Sequence, residues 1–207
     1  YGLSKPAPEW RIFVKNITSR MGIRKPVHIW ISEWVSSPVT IGFLKPIILV
    51  PMAAINHLGT EQMEAVLLHE LSHIRRYDYL LNLVLNIIRT ILYFNPFVKA
   101  FVGIVEKERE KSCDEMVLQF QYDSHQYASA LLTLEKASRE HQLLVVGAAG
   151  HNDLLHRIER ILGVPRKQTV SLRRLSHAMV ALVCIITLNA LLVFGKPLTT
   201  KMAALYG

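Results

Sequence analysis

Cysteine is scarce: the 207 residues contain only Cys113 and Cys184. Two thiols cannot build the bridged framework of a small secreted domain, and they fit a reducing compartment. Acidic residues are also in short supply. Sixteen Asp and Glu stand against 24 Lys and Arg, a net charge of +8. Such an excess attracts nucleic acid or anionic lipid. No aromatic-interleaved basic motif accompanies it, so a DNA-binding regulator has charge alone in its favour and no direct nucleic-acid contact is expected. There is no internal repeat and no low-complexity tract. No signal peptide is visible and the first residue is Tyr1 rather than Met, so the chain is expected to be a piece of a longer protein.

Hydrophobic residues are plentiful, at 51%. One run, 178–194, has 17 residues with Thr187 and Asn189 as its polar members. That is the short end of a membrane span, and a buried core helix is the plain alternative. Arg166, Lys167, Arg173 and Arg174 precede the run, whereas only Lys196 and Lys201 follow it. The bias of basic residues toward the cytoplasmic side then puts residues 1–174 in the cytosol. The expected organisation is a domain over 1–165, a basic linker over 166–176, a transmembrane helix over 177–195 in the lipid bilayer, and the start of a following segment over 196–207.

The domain reads as α+β, mainly helical with a small sheet. Trp10, Phe13, Val14 and Ile17 recur at helical spacing within 6–22. "PVHIWIS" (26–32) alternates as a strand. "SPVTIGFLKPIILVP" (37–51) predicts two short strands around Gly42 and Pro46, with proline pointing to an edge position. Thr60 is a good helix cap, and a helix should run from about Glu61 to Tyr77. "YLLNLVLNIIRTILYF" (79–94) predicts an apolar helix interrupted by Asn82, Asn86 and Arg89, which could pack in the core or lie in a membrane interface. The Asn95–Pro96 pair should end or turn it. Further helices are expected over 102–120, over 124–140 behind a Ser124 cap, and over 154–163, with a loop at 143–153.

The chemistry sits in "HELSH", residues 69–73. Residues four apart share a helix face, so His69 and His73 can direct two imidazoles at one ion. Zinc suits two nitrogens plus a carboxylate, with a fourth position left for water. Glu70 can lie beside that water without ligating. The metal lowers the water's pKa from 15.7 to roughly 7, within reach of a carboxylate base. HExxH is strong for a short motif, yet a surface helix with two solvated histidines would read the same way. A third ligand could come from 102–120, which offers Glu106, Glu108, Glu110, Asp114 and Glu115. Glu110 and Asp114 are again four apart, so one could ligate while the other supports a histidine. Spacing does not choose Glu110 over Glu106, and "EKEREK" is also an ordinary solvated charge run.

"HELSHIRRYDYLLN" (69–82), "SPVTIGFLKPIILVP" (37–51), "EREKSCDEMVL" (108–118) and "LLHRIERIL" (154–162) together resemble the BlaR/MecR-type membrane metallopeptidases, with the blocks in family order. The resemblance implies a gluzincin: one zinc ion on His69, His73 and Glu110, with Glu70 as general base and Asp114 supporting a ligand. It implies that Asp78 is structural, and that Cys113 is a small buried neighbour of the site rather than a ligand. It further implies a cytoplasmic-membrane protease facing the cytosol. The expected protein substrate is a cytosolic transcriptional repressor or the protease's own chain. Nothing in these residues supports β-lactam sensing. A CAAX-processing or quality-control gluzincin is a rival, opposed by the 37–51 block. A non-cleaving receptor or scaffold is another, opposed by the intact Glu70. The free edge of 37–51 could take substrate as an added strand. His125, His141, His151 and His156 read as surface residues, and nothing selects Tyr77 or Tyr79 as an oxyanion stabiliser.

Overall fold

A computed structural model describes residues 2–141 and 149–164. The expected linker, transmembrane helix and following segment, from residue 166 onward, lie outside the described residues, as does most of the expected loop at 143–153. The described part is mainly helical with one small sheet, an α+β arrangement.

The sheet has four strands: β1 (Leu3–Ser4), β2 (His28–Ser32), β3 (Val39–Ile41) and β4 (Ile47–Pro51), in the order β1-β2-β4-β3. β2 and β4 are parallel, pairing Ile29 with Ile48 and Ile31 with Val50. Ile48 and Val50 are fully buried, as the inner strand of a covered sheet requires. β3 lies antiparallel on β4, pairing Val39 with Leu49 and Ile41 with Ile47, and forms the sheet edge. The proline argument therefore succeeds for β3 and fails for β4. Pro46 precedes β4 and Pro51 closes it, so neither removes a donor from the middle of its ladder. The turn between β3 and β4 needs Gly42, whose φ is +83° and where a Cβ would meet the Lys45 carbonyl oxygen at 3.1 Å.

Helix α1 (Pro8–Arg20) begins with proline in its first turn, where the missing N–H has no helical partner to lose. It buries Val14 and Ile17. A short α2 (Met52–His57) leads to α3 (Thr60–Arg75), the centre of the fold. Met63, Val66, Leu67, Leu68 and Leu71 of α3 are buried, with α1, α5 and α6 packed round them. The cap of α3 is Gly59 rather than Thr60: the Gly59 N–H donates to Gln62 Oε1 at 3.0 Å. α3 also ends two residues early, because Tyr77 adopts φ +57° and turns the chain into α4 (Asp78–Ile91).

Asn95–Pro96 opens a helix as well as closing one. The Asn95 side chain accepts the Phe97 N–H at 2.9 Å and Pro96 is the first residue of α5 (Pro96–Gln119). α5 thus starts six residues before the expected 102. α6 (Ser124–His141) has the carboxylate of Asp123, not Ser124, accepting the Gln126 N–H at 3.1 Å. α7 (Ala149–Ile161) starts five residues before the expected 154, so that end of the expected loop is helical. Among the described residues no helix is long and apolar enough to cross a membrane.

Candidate metal centre

α3 carries His69 and His73 one turn apart on a single face. Their rings stand edge to face, 84° apart in plane, and their Nε2 atoms face each other at 3.2 Å. α5 crosses beside them and brings Glu110, with Oε2 3.5 Å from His69 Nε2 and Oε1 3.6 Å from His73 Nε2. One nitrogen from each histidine and the Glu110 carboxylate thus lie close enough together to hold one cation. His69 is buried, which overturns the picture of two solvated histidines. Glu106 and Glu108 are exposed on α5, so the rotation of the helix selects Glu110 among its carboxylates.

Each imidazole is held from behind. His73 Nδ1 lies 2.7 Å from Asp78 Oδ2, the first residue of α4. A carboxylate accepting Nδ1–H leaves the lone pair on Nε2, on the side of His69 and Glu110. His69 Nδ1 lies 2.9 Å from the Tyr127 hydroxyl and 3.3 Å from Asp114 Oδ1. The Tyr127 hydroxyl donates to Asp114 Oδ1 at 2.7 Å. Burial, then the Asp114 charge, pushes the Tyr127 phenol well above its ordinary value and keeps it a donor. Asp114 is buried yet ionised: burial raises its pKa, but bonds from His69 and Arg157 outweigh this and hold it below the usual carboxylate range. Arg157 grips Asp114 through Nε at 3.1 Å and Nη2 at 2.7 Å, and Arg160 adds a bond at 2.8 Å. Nη1 of Arg157 also reaches Glu110 Oε2, at 3.1 Å.

Glu70 is held apart from this network by a partner of its own. Its Oε2 accepts a 2.9 Å hydrogen bond from the Thr40 hydroxyl on the edge strand β3. Glu70, the two histidines, Glu110 and Thr40 line one cleft of about 450 Å³, a size that admits an extended side chain or two. Cys113 is buried with Sγ 3.5 Å from His73 Nδ1; burial, then the Asp78 charge, pushes its thiol up beyond the ordinary range. Arg109 donates to Asn82 Oδ1, tying α5 to α4 beside the centre.

Sequence reasoning did not single out Thr40, Tyr127, Arg157 or Arg160. The two arginines were visible as "HRIER", three apart and hence on one face of the helix expected over 154–163, but nothing there pointed to a partner. Tyr127 carried no local signal, because its partners are 58 and 13 residues away.

The carboxylates make the metal-free site sensitive to pH. Burial opposes a charge on His69, but bonds to Asp114 and Glu110 raise its pKa from 6.5 to about 9. Burial opposes the charge on Glu110 as well, but the bond to His69 and nearby cations lower it from 4.5 to about 2. A raised histidine stabilises the fold fully below its unfolded value and ceases to as pH rises through its folded one; a lowered carboxylate does so above its unfolded value and ceases to as pH falls. Metal-stripped protein is therefore expected to have its highest unfolding temperature between about pH 4.5 and 6.5, and to lose stability as pH rises to about 9. Melting curves in chelator across that range check this. Added zinc should reverse the alkaline decline, since metal and proton compete for His69.

Two helices that bring a His, His, Glu triangle together next to a glutamate held by Thr40 and a sheet edge define the class: a peptidase-type domain with a candidate metal centre. The sequence profile described as BlaR1 peptidase M56 matches residues 7–161, and the chain belongs to that family. It is 32% identical to the regulatory protein BlaR1 of Bacillus licheniformis over 174 residues, 83% of this chain and 28% of that protein. It is 25% identical over 120 residues to the methicillin resistance mecR1 protein of Staphylococcus epidermidis, 57% of this chain and 20% of that one. With the regulatory protein BlaR1 of Staphylococcus aureus the identity is 28% over 95 residues, 46% of this chain and 16% of that one. The chain thus spans less than a third of the length of these curated relatives.

Proposed function

We propose that this chain is the catalytic part of a zinc-dependent endopeptidase, with His69, His73 and Glu110 as ligands and Glu70 as general base. The observation that carries the reading is the ligand triangle. Zinc–nitrogen bonds of about 2.0–2.1 Å in a tetrahedron set ligand atoms roughly 3.3 Å apart. Here the two Nε2 atoms are 3.2 Å apart, and the Glu110 carboxylate straddles them with Oε2 3.5 Å from His69 and Oε1 3.6 Å from His73. Both Nδ1 atoms lie against carboxylates, Asp78 for His73 and Asp114 for His69, so both Nε2 lone pairs are available to a cation. Zinc, when bound, supplies a Lewis acid that polarises a carbonyl and acidifies water.

The chain's own residues do the rest. Glu70, oriented by Thr40, accepts a proton from the attacking water and returns it to the leaving amine nitrogen. The outer edge of β3 offers backbone groups to which an extended peptide can add, alongside Glu70. Asp114, Tyr127 and Arg157 keep His69 and Glu110 in position.

The relatives' printed names, regulatory protein and methicillin resistance protein, support regulated proteolysis as the setting. The substrate would then be a cytosolic repressor or the protein's own chain, cut by a domain anchored at the cytosolic face of the membrane through residues 177–195. The test pairs metal analysis with cleavage. Full-length protein carrying Glu110→Ala should lose bound zinc and stop releasing fragments from a peptide library read by mass spectrometry. Zinc that stays stoichiometric in that variant removes Glu110 from the ligand set, and cleavage by metal-stripped protein overturns the mechanism.

A further inference from the structure

α4 and α5 form a helical hairpin whose root holds the metal centre and whose tip carries apolar side chains in the open. Leu83, Val84, Ile87 and Ile91 recur at helical spacing along the outer side of α4, each 49% exposed or more. Phe97, Phe101 and Ile104 continue the surface on α5, spaced four and three apart. At the tip, Tyr93, Phe94 and Phe97 are 82%, 70% and 81% exposed. Between residues 79 and 105, Leu85 and Val102 are the buried apolar residues. A continuous apolar surface of this kind marks a place where something else binds.

We infer that the α4–α5 hairpin dips into one leaflet of an anionic lipid bilayer as an interfacial wedge. Charge selects the occupant. From Tyr79 to Val105 there is no Asp or Glu, while Arg89 and Lys99 flank the tip. Anionic headgroups supply the missing counter-charge, and long basic side chains reach them while their stems stay in the apolar layer. A second copy would set Arg89 and Lys99 against the same cations with no carboxylate between. Shape agrees: the apolar surface wraps both helices and their turn, which a bilayer covers all round and a single docked helix covers on one side. Length excludes a crossing, since the 14 residues of α4 reach only about 21 Å.

The hairpin also fixes a distance. Glu110 lies 13 residues beyond Phe97 on the same helix, about 20 Å at 1.5 Å per residue. The cleft would stand close to the headgroups and meet peptide bonds near the membrane surface. That corollary rests on the peptidase reading, whereas the insertion does not.

Residues 177–195 are expected to anchor the protein, so vesicle binding alone decides nothing and depth must be read. Phe94→Cys and Phe97→Cys, made in full-length protein carrying Cys184→Ala, would each take an environment-sensitive fluorophore, Cys113 being buried. Asn16→Cys, exposed on α1, is the reference. In phosphatidylcholine–phosphatidylglycerol vesicles, labels at 94 and 97 should be quenched severalfold more by doxyl lipids than the label at 16, and be shielded from aqueous iodide. Iodide reaching 94 and 97 as readily as 16 overturns the inference. Shielding from both quenchers also overturns it, since protein, either a second copy or residues 177–195, then covers the hairpin. The labelled sites are exposed, and an unfolding curve on each variant that matches the unlabelled protein confirms an intact domain.

Discussion

Replacing Glu70 with glutamine should lower peptide hydrolysis by roughly 10²–10⁴-fold while leaving bound zinc at the wild-type level. The substitution keeps the size of the side chain and lets Thr40 go on donating to an amide oxygen at position 70. What it removes is a carboxylate able to take a proton. Glu70 is largely buried, lines the cleft next to His69, and takes its hydrogen bond from Thr40 of β3. The two readouts must therefore separate. Loss of zinc together with activity would make Glu70 a ligand. Undiminished turnover would put the base elsewhere, and the role proposed for the edge strand would go with it.

The second large effect is on stability. Asp114→Ala should destabilise the fold by about 1–3 kcal/mol, because it leaves the buried Tyr127 hydroxyl without its acceptor and takes from the partly buried Arg157 one of its two carboxylates. Arg157 sends two bonds to this carboxylate and Arg160 a third, while Tyr127 and His69 meet it from the other side. The same change should weaken zinc binding by about 10–100-fold, since His69 loses the group that fixes its ring. Denaturant unfolding of metal-stripped protein measures the first effect and a competitive zinc titration the second. A stability change within about 0.5 kcal/mol, the range of ordinary surface substitutions, would mean that the network relaxes onto other partners. Asp114→Asn should fall between, keeping one acceptor oxygen while losing the charge and setting an NH2 group against donors that the second oxygen now serves.

These two residues show how unevenly the site can be read from the chain. Glu70 was legible at once, because a helix fixes the relation between residues 69, 70 and 73 whatever surrounds it. Asp114 stood out among five carboxylates on its segment only by lying four residues after Glu110, and its supporting role came from the family resemblance. Its partner Arg157 is 43 residues away and its partner Tyr127 lies on another helix, and no local pattern records such pairings. Helix ends behaved in the same way. Asn95–Pro96 reads as a stop because the residue before proline avoids the helical region, yet the same pair is an efficient start for the next helix. Deciding between them needs the Phe97 N–H, which turns back onto Asn95.

What the sequence by itself determined is whatever depends on neighbours within about one turn or one strand. That covers the mixed α+β character, the alternation of β2, the apolar face of α1, and the two histidines sharing a side of α3. These follow from backbone periodicity, which is local. What only the tertiary structure decided is which distant groups meet. Packing of α5 against α3 turns Glu110 to the histidines and leaves Glu106 in solvent. The sheet order puts β3 at an edge with Thr40 on Glu70. The α4–α5 hairpin carries its apolar face outward, although the same residues would have served as a core. Such contacts depend on how helices rotate and cross as their buried faces pack together, and each rotation is set by the whole interior rather than by any one segment.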